Sequence, residues 1–134
     1  MRLILASGSK NRQNILKNIG WKYEVVKSMV EEHSDATDPR EYVEDLSRDK
    51  ANSVASQIDG PALIISADSI VYMDGKIFEK PKSKEEAFQN IKEMSGKTTY
   101  LTTGMTIKDL YQNKEITFSD VAEVQIRKVD DEEI

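Results

Sequence analysis

The sequence predicts a single mixed α/β domain covering residues 1–134. Short apolar runs typical of buried strands alternate with stretches in which apolar residues recur every three to four positions, as in amphipathic helices. Two longer β-type segments near the end of the sequence are joined by a polar turn. A chain of 134 residues can bury one core, and we find no internal repeat or interdomain linker that would divide it.

The first strand leads into a turn of small residues that opens a helix. Leu3 to Leu5 suit a buried strand, and the helix is predicted to begin near Ser9. Its apolar positions are Ile15, Leu16 and Ile19. The first amides of a helix lack intrahelical partners, so they could hold a phosphate together with the hydroxyls of Ser7 and Ser9 and the guanidinium of Arg12. The segment is equally consistent with an ordinary helix capped by Ser9, with Arg12 in solvent.

A second strand and a second helix follow. Trp21 to Val26 are predicted to form the strand, and the polar stretch from Ser28 to Asp38 forms a connection. Pro39 favours the start of a helix, and Asp59-Gly60-Pro61 favours its end. The apolar stripe of this helix consists of Leu46, Ala51, Val54, Ala55 and Ile58.

The most apolar run predicts a central strand and a hairpin. Ala62 to Ala67 are expected to form a buried strand, which Asp68 interrupts and Ile70 to Tyr72 continue. Asp74-Gly75 then favours a tight turn that pairs this strand with Ile77-Phe78.

The remaining sequence predicts one helix and two paired strands. Ser83 and Glu86 have the spacing of a capping box, which marks the start of the helix. Its buried face is predicted to hold Ala87, Ile91 and Met94. The β-type segments Thr98 to Ile107 and Ile116 to Val129 are predicted to pair antiparallel across the polar turn between them.

Composition narrows the class of protein. Without cysteine the chain has no disulfide, no thiol nucleophile and no cysteine-based metal site, which fits a cytoplasmic protein. The first apolar run is too short for a signal peptide, and no segment approaches the ~20 apolar residues of a membrane span. The 24 acidic and 19 basic residues give a net charge of −5. This balance argues against a nucleic-acid partner and leaves room for a local basic pocket.

Three ionisable residues stand out by their positions. Asp68 lies within the central apolar run, where burial of an unpaired carboxylate costs on the order of several kcal/mol, so a functional role is favoured over a local cap at a bulge. Lys50 lies on the apolar stripe of the second helix, where it must snorkel or meet an anion. Lys80 precedes a proline and could point into a cleft or remain in solvent.

The acidic connection after the second strand suggests a metal site. Glu31 and Glu32 are adjacent carboxylates on a loop, and such a pair suits a hard cation such as Mg²⁺ that also takes phosphate oxygens and waters. The neighbouring His33 is the only histidine, and with no cysteine present this argues against a zinc site.

Several short motifs follow one another along the whole chain. They are Leu5-Ala6-Ser7-Gly8-Ser9 with Arg12, Glu32, Lys50-Ala51, Ala67-Asp68-Ser69, Lys80-Pro81, Ser95-Gly96 and Thr103-Gly104. In combination they closely resemble the Maf family, the septum-formation-inhibitor-like nucleotide pyrophosphatases, although no single motif is specific. The resemblance implies an elongated, mixed β-sheet flanked by helices around a central cleft, related to the fold of the inosine triphosphate pyrophosphatases. It also implies a homodimer that uses Mg²⁺ or another divalent cation such as Mn²⁺.

The reaction implied by the resemblance converts a nucleoside triphosphate into its monophosphate and pyrophosphate. Asp68 matches the family's proposed proton acceptor and would also touch the metal, and Glu32 matches an acidic residue of the metal and water site. The residues that match substrate-binding positions are Ser7, Ser9, Arg12, Lys50 and Lys80.

Two departures from the family pattern qualify the resemblance. Asn11 and Ser69 occupy positions that are usually Arg and Thr in the branch associated with thymidine and uridine triphosphates, and Trp and Gln in the branch associated with methylated guanosine triphosphate. Ser69 is chemically closer to Thr, which favours a pyrimidine or modified pyrimidine nucleotide. Family members also continue past the equivalent of Ile134, so the domain is expected to be short at its C-terminus. The alternative function is therefore a nucleotide-binding or regulatory module with weak or no turnover.

Overall fold

The structure is a computed structural model that describes residues 2–6, 10–28, 34–78, 82–128 and 130, without the side chains of residues 10 and 11. Its strands and helices follow one another in the order that the sequence predicts. In chain order they are β1 (Arg2–Leu5), α1 (Lys10–Ile19), β2 (Glu24–Val25), α2 (Pro39–Ala55), β3 (Ala62–Met73), β4 (Lys76–Phe78), α3 (Lys84–Met94), β5 (Thr98–Asp109) and β6 (Lys114–Gln125).

The strands form one mixed sheet in the order β2-β1-β3-β5-β6, with β4 also paired to β3. β1 runs parallel to β2 and β3, whereas β5 is antiparallel to both of its neighbours, β3 and β6. β3 is continuous, so the predicted interruption at Asp68 is wrong. Successive side chains of a strand point to opposite faces of the sheet. The Asp68 carboxylate can therefore project from one face while the backbone keeps its strand hydrogen bonds.

Helix α2 covers one face of the sheet and builds the core. Asp38 caps it by accepting a hydrogen bond from the Glu41 amide, and Pro39 occupies its first turn, as expected for a helix start. Ala51 and Val54 pack against Ile4 and Ile64 with no exposed surface. The helix ends at Ala55, before the predicted stop, because the amides of Gln57 and Ile58 bond three residues back and tighten the chain.

The other two helices leave apolar side chains in solvent. In α1 Leu16 is buried, but Ile15 and Ile19 are 58% and 55% exposed. The predicted buried face of α3 is also wrong, because this helix has no buried residue and Ile91 is 40% exposed. The described part of the chain covers these stripes only in part, and periodicity alone does not provide a partner for them.

Local turn and cap predictions are confirmed more closely. Asp74 and Gly75 have φ angles of 50° and 79°, as a two-residue hairpin turn between β3 and β4 requires. The Ser83 hydroxyl accepts a hydrogen bond from the Glu86 amide at 3.0 Å. The Glu86 carboxylate accepts from the amide of Lys82 instead of the amide of Ser83, one residue outside the ideal capping box.

At the end of the sheet near β2, the exposed pair Arg2 and Glu24 joins two parallel strands. Arg2 donates two hydrogen bonds of 2.8 Å to the Glu24 carboxylate. These bonds lower the pKa of Glu24 and raise the pKa of Arg2 from their ordinary values. Across the described residues, no helix has both the length and the apolarity needed to cross a membrane.

Candidate functional site

The edge of β3 that faces away from β5 is divided between two strands. β1 pairs with this edge up to Ile65, and β4 pairs with it from Val71 onward. Between them, residues 66–70 pair with β5 on their other edge but with no described strand on this one. The Ile65 carbonyl accepts the Ala6 amide on this side, and peptide groups point to the same edge at every second residue, so those of Ala67 and Ser69 face the gap. This gap in strand pairing leaves backbone hydrogen-bonding groups of β3 without a strand partner in the described structure, and we refer to it as the cleft.

Lys50 and Asp68 meet at this cleft from the α2 side of the sheet. The Lys50 ammonium lies 3.8 Å from Asp68 Oδ2 and donates to the Ala67 carbonyl at 3.2 Å. Asp68 Oδ1 accepts the Ser69 amide at 2.9 Å. The two side chains are only 18% and 24% exposed, so Lys50 meets an anion at the sheet instead of extending into solvent. The pair places a carboxylate and a cation together in a partly buried position.

Arg12 reaches the same stretch of β3 from α1. One of its terminal nitrogens donates to Ser69 Oγ at 3.3 Å, and Ser69 Oγ lies 3.0 Å from Thr103 Oγ1 of β5. Ser69 follows Asp68 directly, so the two side chains leave the strand on opposite faces. The guanidinium and the ammonium therefore approach the unpaired edge from the two sides of the sheet.

Hydroxyl contacts hold α2 in register with the strands beneath the site. Ser66 Oγ donates to the Ser47 carbonyl at 2.5 Å, one turn before Lys50 in the helix. Ser47 Oγ is 2.9 Å from Thr106 Oγ1, and all three side chains are fully buried. Gly104 lets the helix come this close, because a Cβ at that position would overlap the Val43 carbonyl. The separation of Lys50 and Asp68 is thus set by buried contacts.

The predicted site residues divide into two groups. The structure brings together Arg12, Lys50, Asp68 and Ser69. Those that lie outside the described residues are Ser7, Ser9, Glu32 and Lys80, together with the side chain of Asn11 and the neighbours Glu31 and His33. Within the described ranges no group of three His, Cys, Asp or Glu side chains could enclose a metal ion, and Asp68 alone supplies a carboxylate to the cleft.

Sequence reasoning missed two contributors to the cleft. The Ala67 carbonyl is a backbone group and leaves no trace in the sequence. Thr103 belongs to a motif of the family resemblance, but its contact with Ser69 depends on the pairing of β3 with β5, which was not predicted. A correct pairing would have placed these two hydroxyls on one face, because directly opposed residues of antiparallel strands share a face.

The fold is the one seen in solved Ham1 proteins. The structure superimposes on Staphylococcus aureus Ham1 with a TM-score of 0.63 and on a HAM1 protein from Coxiella burnetii with a TM-score of 0.62, each over 93% of this chain. The aligned regions make up 71% and 72% of those chains, and the sequence identity is 14% in both cases. At this identity the likeness establishes a shared architecture and nothing about activity.

The sequence itself identifies the family. Residues 2–134 match the model of the Maf-like proteins, and the chain belongs to that family. It is 40% identical to a dTTP/UTP pyrophosphatase of Thermoanaerobacter sp. and 38% identical to one of Clostridium perfringens, each over the whole chain. It is also 37% identical to a nucleoside triphosphate pyrophosphatase of Cyanothece sp.. The chain spans about 70% of the length of these relatives.

Proposed function

We propose that this protein hydrolyses nucleoside triphosphates, with dTTP and UTP as preferred substrates, to the monophosphate and pyrophosphate. The observation that carries the proposal is the Asp68 carboxylate at the unpaired edge of β3, with Lys50 on one side of the sheet and Arg12 on the other. The names of the dTTP/UTP pyrophosphatase relatives support both the reaction and the pyrimidine preference. The nucleoside triphosphate pyrophosphatase of Cyanothece sp. supports the broader reaction.

The charges of the cleft suit an attack of water on the α-phosphorus. In this step the water oxygen forms a bond to the α-phosphorus, the bond to the bridging oxygen breaks, and pyrophosphate leaves with the electron pair. Asp68 orients the water and accepts its proton. Lys50 neutralises the charge that develops on the phosphate oxygens. Arg12 binds the phosphate throughout the reaction, because its planar guanidinium can hold two oxygens at once.

Mg²⁺, or Mn²⁺ in its place, is the proposed cofactor. Asp68 fits such an ion because its partly exposed carboxylate faces the cleft, and magnesium sites commonly take one or two carboxylates together with substrate phosphates. When bound, the ion would neutralise phosphate charge and favour ionisation of a coordinated water. Glu32 is proposed as the second carboxylate, on the basis of the family resemblance.

The remaining site assignments follow the family pattern. Ser7, Ser9 and Lys80 are proposed to bind the triphosphate together with Arg12 and Lys50. Asn11 and Ser69 are proposed to influence the choice of base. Ser69 supports this assignment through its position in the cleft beside Arg12.

A panel of nucleotides tests the proposed function. The purified protein is incubated with Mg²⁺ and each common nucleoside triphosphate, and both products are quantified by ion-exchange chromatography. Equal amounts of monophosphate and pyrophosphate are expected, fastest with dTTP and UTP. Release of orthophosphate and a diphosphate would contradict the reaction, and faster turnover of purine nucleotides would contradict the substrate preference. Binding of dTTP without product would identify a nucleotide-binding module instead.

We place the protein in the cytoplasm as a homodimer that acts on free nucleotides. The net charge of −5 supports the absence of a nucleic-acid partner, because a polyanion is repelled by an acidic surface. Light scattering coupled to size-exclusion chromatography tests the dimer, and a monomer mass at micromolar concentration would contradict it.

A further inference from the structure

Thr103 is joined to the cleft through a chain of polar contacts. It pairs with Ser69 in the β3–β5 ladder, and their hydroxyl oxygens are 3.0 Å apart. Arg12 can only donate, so Ser69 Oγ accepts from the guanidinium at 3.3 Å and keeps its own proton and a second lone pair for Thr103. The Ser69 hydroxyl is therefore held between a cation of α1 and a hydroxyl of β5.

We infer that Thr103 is a positioning residue of the nucleotide site, acting through Ser69 on the orientation of Arg12; this inference rests on the proposed function. A serine side chain has three accessible rotamers, whereas a threonine is stiff about its first torsion, so Thr103 is the rigid partner of the pair. The hydrogen bond selects the Ser69 rotamer whose oxygen meets Arg12. The guanidinium is then held at the cleft before a phosphate arrives.

The surroundings of Thr103 distinguish this role from a purely structural one. The neighbouring hydroxyls of Ser47 and Thr106 are fully buried and have only protein partners, which are each other, the Glu44 carbonyl and Thr117 Oγ1. Thr103 and Ser69 are only partly buried, and water can satisfy either hydroxyl if the other is removed. Loss of the Thr103 hydroxyl should therefore change the geometry of Arg12 more than the stability of the fold.

The expected effect appears in substrate binding. Arg12 contacts phosphate in both the ground state and the transition state, so a poorly oriented guanidinium raises KM and leaves kcat nearly unchanged. Thr103→Val, which keeps the shape and removes the hydroxyl, should raise the KM for dTTP about three- to tenfold, the range of one hydrogen bond. Thr103→Ser retains the hydroxyl but loses the stiffness of threonine, so its KM should lie between those of the original protein and of Thr103→Val.

Thr102→Val is the matched control. Thr102 is adjacent on β5, its side chain lies on the opposite face, and its buried hydroxyl has no hydrogen-bond partner within the described structure. This substitution should leave KM unchanged. A double variant tests the route of the effect, since Thr103→Val should add nothing in a Ser69→Ala background.

The inference is overturned by an unchanged KM in Thr103→Val, by a Thr103→Ser variant as impaired as Thr103→Val, or by a full additional effect in the Ser69→Ala background. The dissociation constant for an α,β-imido analogue of dUTP, which resists hydrolysis, measured by calorimetry with Mg²⁺, provides a second readout that needs no turnover. If the unaltered protein binds dTTP but hydrolyses no nucleotide, the proposed function fails, and the ratio of dissociation constants still tests Thr103. If it does not bind dTTP, both proposals fail.

Discussion

At the scale of single residues, the chemistry of the cleft depends on a carboxylate that is held in place yet able to reach a ligand. Asp68 accepts a hydrogen bond from the Ser69 amide and lies near the Lys50 ammonium. These contacts fix the orientation of its carboxylate while part of the side chain stays exposed. Its unusual position in an apolar run made it recognisable from the sequence alone. The direction of its side chain was not recognisable, because that depends on which strand face α2 covers.

Asp68→Asn tests the proposed base. The asparagine side chain keeps the size and most hydrogen bonds of the aspartate, but it cannot accept a proton from water. The kcat should therefore fall at least about 10²-fold. The fold should persist, as judged by circular dichroism. Asp59→Asn, in an exposed loop after α2, is the matched control and should retain full activity. Turnover near that of the unaltered protein would remove Asp68 from the mechanism.

Lys50→Met tests the cation on the α2 side. Methionine preserves much of the apolar stem but removes the charge that faces Asp68 and the phosphates, so kcat/KM should fall about 10²-fold. Steady-state kinetics with dTTP measures the loss. Lys92→Met, on the exposed surface of α3, should have no effect. If both variants lose activity equally, the effect is a general one of charge and does not come from the cleft.

At the scale of elements, the site depends on how closely α2 approaches the sheet. The helix was predicted from its apolar stripe, and its start from Pro39, because both signals are local. The contact at Gly104 was not predicted, since a glycine within a strand gives no indication of which backbone lies above it. Similarly, the buried hydroxyls of Ser47, Ser66 and Thr106 appear as ordinary polar residues until the helix is placed.

Gly104→Ala tests this close approach. The added methyl group would overlap the Val43 carbonyl and lie 2.8 Å from the Glu44 nitrogen, so α2 must move away from β5. Overpacking of this kind should lower the free energy of unfolding by about 1–3 kcal/mol, measured by urea denaturation. Gly104→Ser, with a larger side chain, should lower it further. Equal stability of the unaltered protein and both variants would show that α2 accommodates a side chain at position 104 without a cost in stability.

At the scale of the whole molecule, the cleft results from the sheet topology. The hairpin that places β4 on β3 was predictable from Asp74-Gly75, but the parallel pairing of β1 with β3 joins segments distant in sequence. Residues 66–70 have no described strand partner on this edge of β3, because the pairing with β1 ends before them and the pairing with β4 begins after them. For the same reason the exposure of Ile15 and Ile19 was not predictable, because an apolar stripe does not reveal whether another element covers it.

Binding of nucleotide should stabilise the whole molecule only when the metal is present. An α,β-imido analogue of dUTP, which resists hydrolysis, should stabilise the fold by about 2.7 kcal/mol at 100 times its dissociation constant with Mg²⁺. Differential scanning calorimetry measures the corresponding rise in Tm. The rise should largely disappear when EDTA replaces Mg²⁺, and Mg²⁺ alone should have little effect. An equal rise in EDTA would contradict the proposed cofactor.

Hydrolysis of dTTP in ¹⁸O-labelled water tests most directly whether this cleft directs water to the α-phosphorus. The attacking water leaves its oxygen on the phosphorus that it attacks, and mass spectrometry of the products locates the label. We expect one ¹⁸O atom in each dTMP formed and none in pyrophosphate. Label in pyrophosphate would mean attack at the β-phosphorus, and dTDP with labelled orthophosphate would mean attack at the γ-phosphorus; either result would contradict the proposed reaction.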